Sequence, residues 1–217
     1  MAKKYKPYDV MVFLFGVFFV VLGILAIINS FFYLEVASFL WLCYLSLILI
    51  GAGMIFRSSY LIVMQLNIVF IPLVFWNVDF FYQLFSKKSL YGITDYFFTG
   101  GLNSLGSFVS LQHIYILPLS VYIVYRLGVK DRRIWIASFI EVLIVFFASL
   151  FFSSASENAN CVIVSCADFI RVSGIQYNLL WIVSMFVAIY LSNYFFVKFF
   201  CKGKHTSWRP PALLRWG

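Results

Sequence analysis

Six stretches of about 20 mostly apolar residues follow one another along this chain. A helix of that length spans the hydrocarbon core of a bilayer, which is about 30 Å thick. We therefore predict an all-α integral membrane protein, a bundle of six transmembrane helices in a single domain over residues 1–200, with a short basic tail at 201–217. The predicted spans cover residues 10–28, 36–56, 60–81, 108–125, 134–152 and 179–200.

The composition excludes an ordinary water-soluble domain. Hydrophobic residues make up 64% of the chain and charged residues only 11%, with a mean hydropathy of +0.97. In a soluble domain, about a quarter of all residues are charged. The first stretch is too long for the apolar part of a signal peptide, and we expect it to remain as an uncleaved helix.

The distribution of Lys and Arg predicts the orientation of the spans. Thirteen of these residues fall on one side of the membrane and three on the other, and cytoplasmic loops carry the excess of positive charge. Both termini are therefore predicted in the cytoplasm, and the protein in the plasma membrane. The net charge of +8 has this explanation, so we expect no nucleic-acid partner. The three residues on the outer side are Lys87, Lys88 and Arg171.

Two longer connections lie on the predicted outer side, at residues 86–106 and 153–173. The first is rich in Gly and aromatic residues, which favours a loop that lies on the membrane surface or dips into it. The second contains Cys161 and Cys166, and the outer compartment permits a disulfide between them. Two free thiols, or one functional thiol, are the alternatives. Two Cys without a nearby His make a zinc site unexpected.

Ionisable residues inside membrane spans are costly, and they are candidates for functional sites. Apart from Lys198, which is assigned to the cytoplasmic side, the spans contain three such residues, Asp79, His113 and Glu141. His113 lies five residues into the fourth span, or roughly 8 Å below its outer end, and Asp79 lies near the outer end of the third. A carboxylate that orients an imidazole is a standard arrangement for a general base. A water-exposed Asp79 and a structural, neutral His113 are the alternatives.

Glu141 lies roughly 10 Å from the cytoplasmic end of the fifth span, too far from His113 to join it. We expect a structural role, with Gln65 or Asn67 of the third span as its partner. A proton relay is the alternative. In the second outer loop, Asn158 and Asn160 are expected either to hold a turn or to polarise a reacting carbonyl.

Several segments resemble a family of bacterial and archaeal polytopic membrane proteins without an assigned activity. They cover roughly residues 60–165, and this resemblance implies a site without naming its chemistry. The segments are Trp76-Asn77-Val78-Asp79-Phe80, Tyr91-Gly92-Ile93-Thr94-Asp95-Tyr96-Phe97, Ser110-Leu111-Gln112-His113 with Leu117-Pro118, Arg126-Leu127-Gly128 with Asp131-Arg132-Arg133, and Asn158-Ala159-Asn160-Cys161-Val162.

A second, more distant resemblance concerns His113 and Asn158-Ala159-Asn160-Cys161. They are similar to the pattern of multi-spanning lipid acyltransferases and hydrolases, which combine a membrane His with an Asn-rich motif ending in Cys. The resemblance implies that Cys161 is a nucleophile, activated as thiolate by a nearby base. That role and a permanent disulfide exclude each other.

Three functions follow as hypotheses. The first is a membrane-embedded enzyme acting on a lipid or acyl group near the outer face, with a catalytic set of His113, Asp79, Asn158, Asn160 and Cys161. The second is a transporter of a small solute or lipid, which requires a continuous polar path between Asp79 and Glu141. The third is a non-catalytic assembly protein. Membrane lipids are the expected partners in each, and we expect no cofactor or bound metal.

Overall fold

The computed structural model describes residues 7–33, 36–100, 102–167 and 169–201, and these residues form a bundle of helices. Two short 3₁₀ helices, Val36–Leu40 and Ala159–Cys161, lie among the α-helices. Of the tail predicted at residues 201–217, all but Cys201 lies outside the described residues. The α-helices are α1 (Pro7–Tyr33), α2 (Leu42–Ile55), α3 (Ser59–Ser86), α4 (Asp95–Phe98), α5 (Ser104–Ser110), α6 (Gln112–Leu127), α7 (Ile134–Phe152) and α8 (Gly174–Phe200).

Five helical segments are long and apolar enough to cross a membrane. Large apolar side chains cover their outward surfaces, including Phe32 on α1, Phe151 on α7 and Ile175 on α8, each more than three-quarters exposed. An exposed apolar surface of this extent is typical of contact with lipid. The prediction of an all-α, membrane-embedded protein is therefore confirmed. The five segments are Asp9–Phe32, Ser59–Ser86, Ser104–Leu127, Ile134–Phe152 and Gly174–Phe200.

The second predicted span differs from a continuous helix. It consists of the 3₁₀ helix Val36–Leu40 and the 14-residue α2, with a break at Trp41. Trp41 has extended backbone angles (φ −55°, ψ 120°), so the helical hydrogen-bond pattern is interrupted there. The polar groups at such a break need partners from elsewhere in the protein. The second long connection provides them, as described below.

α3 is the central helix, and it packs against α2, α6, α7 and α8. Its buried side chains include the polar residues Gln65, Asn67 and Asp79 among many apolar ones. Helices in lipid associate through close packing and hydrogen bonds between helices, because no hydrophobic force drives them together. The position of α3 therefore allows its polar residues to bond several neighbouring helices.

The connections gather at two ends of the bundle. At one end, which we call the turn end, residues 57–60 line a common cavity with Lys130, Asp131 and Ile134, and Val129 pairs with Cys201 after α8. An ion pair between Asp9 and Arg57 brings the start of α1 to this end. At the other end, the loop end, the connections that follow α3 and α7 meet, with the ring centroids of Tyr91 and Phe169 6.0 Å apart.

α1 and α2 approach each other unusually closely, because glycines face each other between them. A Cβ atom built on Gly51 would lie 2.7 Å from the Gly16 carbonyl oxygen and 2.9 Å from the Val20 amide nitrogen. A Cβ atom on Gly16 would lie 2.8 Å from the Gly51 carbonyl oxygen. These backbone contacts are possible only without side chains, which is the usual role of small residues between membrane helices.

Candidate functional site

His113 lies at the loop end, near the start of α6, and is only 7% exposed. Its ring lies against the indole of Trp76 on α3, with 4.5 Å between the ring centroids. The side-chain amide of Asn77 donates to the His113 backbone carbonyl at 2.8 Å. Two consecutive residues of α3 therefore position the ring and the backbone of this histidine.

Tyr96 on the short helix α4 joins Trp76 to the neighbouring element. The Trp76 indole N–H donates to the Tyr96 hydroxyl at 3.0 Å. The side chain of Ser110, the last residue of α5, lies next to the same hydroxyl. Three separate parts of the chain thus meet around the histidine. We refer to Trp76, Tyr96, Ser110, Gln112 and His113 as the His113 cluster.

Buried polar atoms without a hydrogen-bond partner are concentrated on α6. In the described part of the chain, five of the eight such side-chain atoms belong to this helix. A buried polar atom that makes no hydrogen bond costs about 1–3 kcal/mol. Such groups in a native structure call for an explanation, and a functional site is one. The five atoms are both amide atoms of Gln112, His113 Nδ1 and the hydroxyl oxygens of Tyr115 and Ser120.

The predicted pairing of Asp79 with His113 is not what the structure contains. Both carboxylate oxygens of Asp79 instead accept hydrogen bonds from the loop that follows α3. Oδ1 accepts the backbone N–H groups of Leu90 and Tyr91, at 3.0 and 2.7 Å. Oδ2 accepts the backbone N–H and the hydroxyl of Thr94, both at 2.8 Å. Backbone donors compete successfully for this carboxylate because they lie within one short turn.

Asp79 nevertheless reaches the His113 cluster indirectly. Thr94, which it holds, directly precedes α4, and α4 carries Tyr96. The connection from the carboxylate to the imidazole therefore passes through the loop, Tyr96 and Trp76. This arrangement makes Asp79 a positioning residue for the cluster and holds residues 90–94 of the predicted connection in place.

Cys161 forms a disulfide with Cys166, and their Cα atoms are 5.6 Å apart. Of the alternatives left open by the sequence, the disulfide is the one present in the structure. The nucleophilic role implied by the distant resemblance is therefore corrected, because a disulfide sulfur has no thiolate to donate. Cys43 and Cys201 are free and half-buried.

Asn158 holds the turn that the disulfide closes. Its side-chain oxygen accepts the backbone N–H groups of Ile163 and Val164, and its side-chain nitrogen donates to the Val164 carbonyl at 2.8 Å. Its φ of +39° lies in the left-handed region, which Asn adopts more readily than most residues. The same nitrogen also donates to Cys166 Sγ at 3.7 Å, so these bonds match the turn-holding interpretation and occupy the amide within the turn.

Asn160 and Glu157 supply the partners missing at the break before α2. The Asn160 amide accepts the Leu42 N–H at 2.8 Å and donates to the Leu40 carbonyl at 2.8 Å. One carboxylate oxygen of Glu157 accepts the Ala37 N–H at 2.9 Å. Backbone amides of Ser154 and Ala37 hold the pKa of the Glu157 carboxyl below its ordinary value. The predicted polarising role of Asn160 is thus replaced by a structural one.

Replacing Asn160 by alanine should destabilise the protein by about 2–3 kcal/mol. The change removes the bonds to residues 40 and 42 and one to Ser149 at 3.1 Å, each with a net value of about 1 kcal/mol. Unfolding by SDS in mixed micelles measures the effect. Asn178→Ala, which removes a single bond to the Val162 carbonyl, is the control, and an equal loss in both variants would contradict the bridging role.

The predicted partner of Glu141 is confirmed. The Gln65 side-chain amide donates to a Glu141 carboxylate oxygen at 2.6 Å, and the Gln65 carbonyl oxygen accepts from the Ser46 hydroxyl at 2.8 Å. These three residues connect α7, α3 and α2. Asn67, the other proposed partner, donates instead to Ser138 on α7 and Asn193 on α8. These buried polar residues therefore bond helices to one another.

Sequence reasoning missed the roles of Tyr96, Ser110 and Gln112. All three lie inside the segments that resemble the membrane-protein family, so the sequence marked their positions as candidates. Neutral polar and aromatic residues are common in membrane proteins, however, and only the fold shows which of them meet. Nothing in the sequence marked Ser120 or Tyr115 as a candidate site residue.

The fold and these buried polar contacts define a helical, membrane-embedded protein with a polar cluster at one end. Within the described ranges, no group of three or more His, Cys, Asp or Glu residues could hold a metal ion. Comparisons with protein families, with curated proteins and with solved structures find no match to this chain. The function is therefore argued from the site alone.

Proposed function

We propose that the chain crosses the plasma membrane six times, with both termini in the cytoplasm. The 3₁₀ helix and α2 together have a length of about 31 Å, at 2.0 and 1.5 Å per residue, which is enough for one crossing. The turn end carries Arg57, Lys130, Arg132 and Arg133, and this excess of positive charge supports its assignment to the cytoplasm. The loop end then lies at the outer face.

Within this topology, the protein acts as a hydrolase or acyltransferase on an acyl lipid of the outer leaflet. The observation that carries this proposal is a group of three adjacent buried polar atoms without a hydrogen-bond partner at the start of α6, namely His113 Nδ1 and both side-chain amide atoms of Gln112. A polar group that serves only to hold helices together is expected to be satisfied. An unsatisfied imidazole is free to accept a proton from a reactant.

The reaction requires few groups from the protein. His113 accepts the proton of a water molecule or lipid hydroxyl as its oxygen attacks the acyl carbonyl carbon. The tetrahedral intermediate then collapses, the ester C–O bond breaks, and the same proton passes to the leaving oxygen. The Gln112 side-chain amide, which is fully buried and unpartnered, is the type of donor that stabilises a developing oxyanion.

We expect His113→Ala to reduce lipid turnover by about 100-fold or more, the usual contribution of a general base. The experiment follows a mixture of labelled lipids in liposomes containing the purified protein. His205→Ala is the matched control, because it removes the other histidine of the chain and lies in the predicted tail. Size-exclusion chromatography and thermal unfolding show whether each variant is folded.

Either of two results would contradict the enzymatic proposal. The native protein forms no lipid product over a panel that includes acyl acceptors, or the folded His113→Ala variant forms product at the native rate. A loss of stability without a separate loss of activity would instead favour the assembly protein. That alternative has its own support, because the bonds of Asn67, Gln65 and Asn160 all join separate elements.

The transport hypothesis has less support. It requires a polar path between Asp79 and Glu141, but the α3 residues between Asn67 and Trp76 are apolar. Asp79 also bonds the loop and not the interior of the bundle.

A further inference from the structure

A cleft lies between α7 and α8 at the turn end of the bundle. Its cavity has a volume of about 190 Å³. The half-exposed tyrosines on its α8 side, and the exposed Ile136 next to Trp135, place its mouth on the surface that faces lipid. The cleft is lined by Arg132, Trp135, Tyr190, Asn193, Tyr194 and Val197.

Positive charge is concentrated at this cleft. Arg132 lies in its wall and is exposed. The Lys198 ammonium lies over the ring of Tyr194, 5.6 Å from its centroid, and so borders the same wall. A guanidinium group binds phosphate oxygens with two parallel hydrogen bonds. Basic pockets between membrane helices are a recognised type of site for anionic lipid headgroups.

Aromatic side chains form another part of the cleft wall. The Trp135 ring packs edge-on against Tyr190 at 6.0 Å and against Phe186 at 5.9 Å. Trp and Tyr are enriched where hydrocarbon meets the headgroups, because their rings are apolar and their N–H or O–H groups are polar. The cleft thus offers apolar contact for an acyl chain beside charged and polar contact for a phosphate.

The depth of the cleft also fits a headgroup. The Asn193 side-chain amide donates to the Arg132 carbonyl at 3.0 Å, which places this part of α8 level with the residues just before α7. At 27 residues, α8 is about 40 Å long and exceeds the hydrocarbon core by about 10 Å. We propose that this cleft binds the headgroup of an anionic phospholipid, independently of the enzymatic site at the opposite end.

The test is lipid binding to the full chain in detergent micelles, measured by native mass spectrometry. Phosphatidylglycerol and phosphatidylcholine with identical acyl chains are the probes. We expect tighter binding of phosphatidylglycerol, and a loss of about fivefold in its affinity in Arg132→Gln, as for one basic residue at a membrane surface. Val197→Phe, which fills the cavity without changing charge, should lower the affinity as well.

Arg126→Gln is the matched control, because Arg126 also lies near the turn end beside a tyrosine, Tyr122. Its affinity for phosphatidylglycerol should equal that of the native protein. Equal binding of the two lipids by the native protein, or equal losses in Arg126→Gln and Arg132→Gln, would overturn the proposal in favour of diffuse attraction. Displacement of the lipid by millimolar glycerol phosphate would show a site for a soluble phosphate and would also overturn it.

Discussion

Asp79→Asn should destabilise the protein by about 3 kcal/mol, although the two side chains have nearly the same shape. Both oxygens of the carboxylate accept N–H or O–H groups of the loop. Asparagine replaces one oxygen by an NH₂ group, which then faces donors it cannot bond. Hydrogen bonds to a charged group contribute about 1.5–3 kcal/mol each, so losing those at one oxygen accounts for the expected change.

Two measurements check this prediction. Unfolding in SDS mixed micelles gives the change in free energy, and limited trypsin digestion reports whether the bonds after Lys87 and Lys88 become accessible. Asp131→Asn is the control, since that carboxylate accepts a single N–H group, from Arg133, in an exposed turn. A stable Asp79→Asn variant with native resistance to trypsin would show that the loop does not depend on the carboxylate.

Gly51→Val should separate α1 from α2, with a loss of about 3 kcal/mol or more. The new side chain would meet the Gly16 carbonyl oxygen and the Val20 amide, both of them backbone atoms. A flexible side chain can move aside, but a helix backbone can yield only by moving as a whole. Overpacking a well-packed interface costs about 1–3 kcal/mol even when side chains adjust.

The comparison is with Ala52→Val, at the next position of α2, which is partly exposed. Disulfide crosslinking between cysteines placed on α1 and α2 measures their separation directly. Native crosslinking rates in Gly51→Val, together with native stability, would contradict the close approach of the two helices.

Length and hydropathy were sufficient to predict most of the bundle. Long apolar stretches have one stable form in lipid, because a helix satisfies its own backbone. The predicted ends of the helices were less accurate. α3 continues to Ser86 and α8 begins at Gly174, because both helices extend beyond their apolar parts. The break at Trp41 could not be predicted, because the groups that stabilise it are contributed by residues 157–160, more than 100 positions later.

For the candidate site, too, the sequence predicted some contacts and not others. The contact between Glu141 and Gln65 was predictable, because a carboxyl group in lipid needs a partner and depth limits the choice. Asp79 was expected beside His113 on the same depth argument. That expectation failed because the competing donors are backbone amides of a turn, which side-chain identities do not indicate. Sequence therefore located the polar region but assigned its contacts incorrectly.

The bridge from Glu157 and Asn160 to the break before α2 also has a consequence for biogenesis. Residues 36–42 leave the ribosome well before residues 157–160 are synthesised, so the nascent second segment first meets the membrane without its partners. A 14-residue helix is also short for stable insertion by itself. Residues 36–42 therefore reach their final arrangement only after α7 and the residues that follow it have been synthesised, so this part of the protein assembles in an order different from that of its translation.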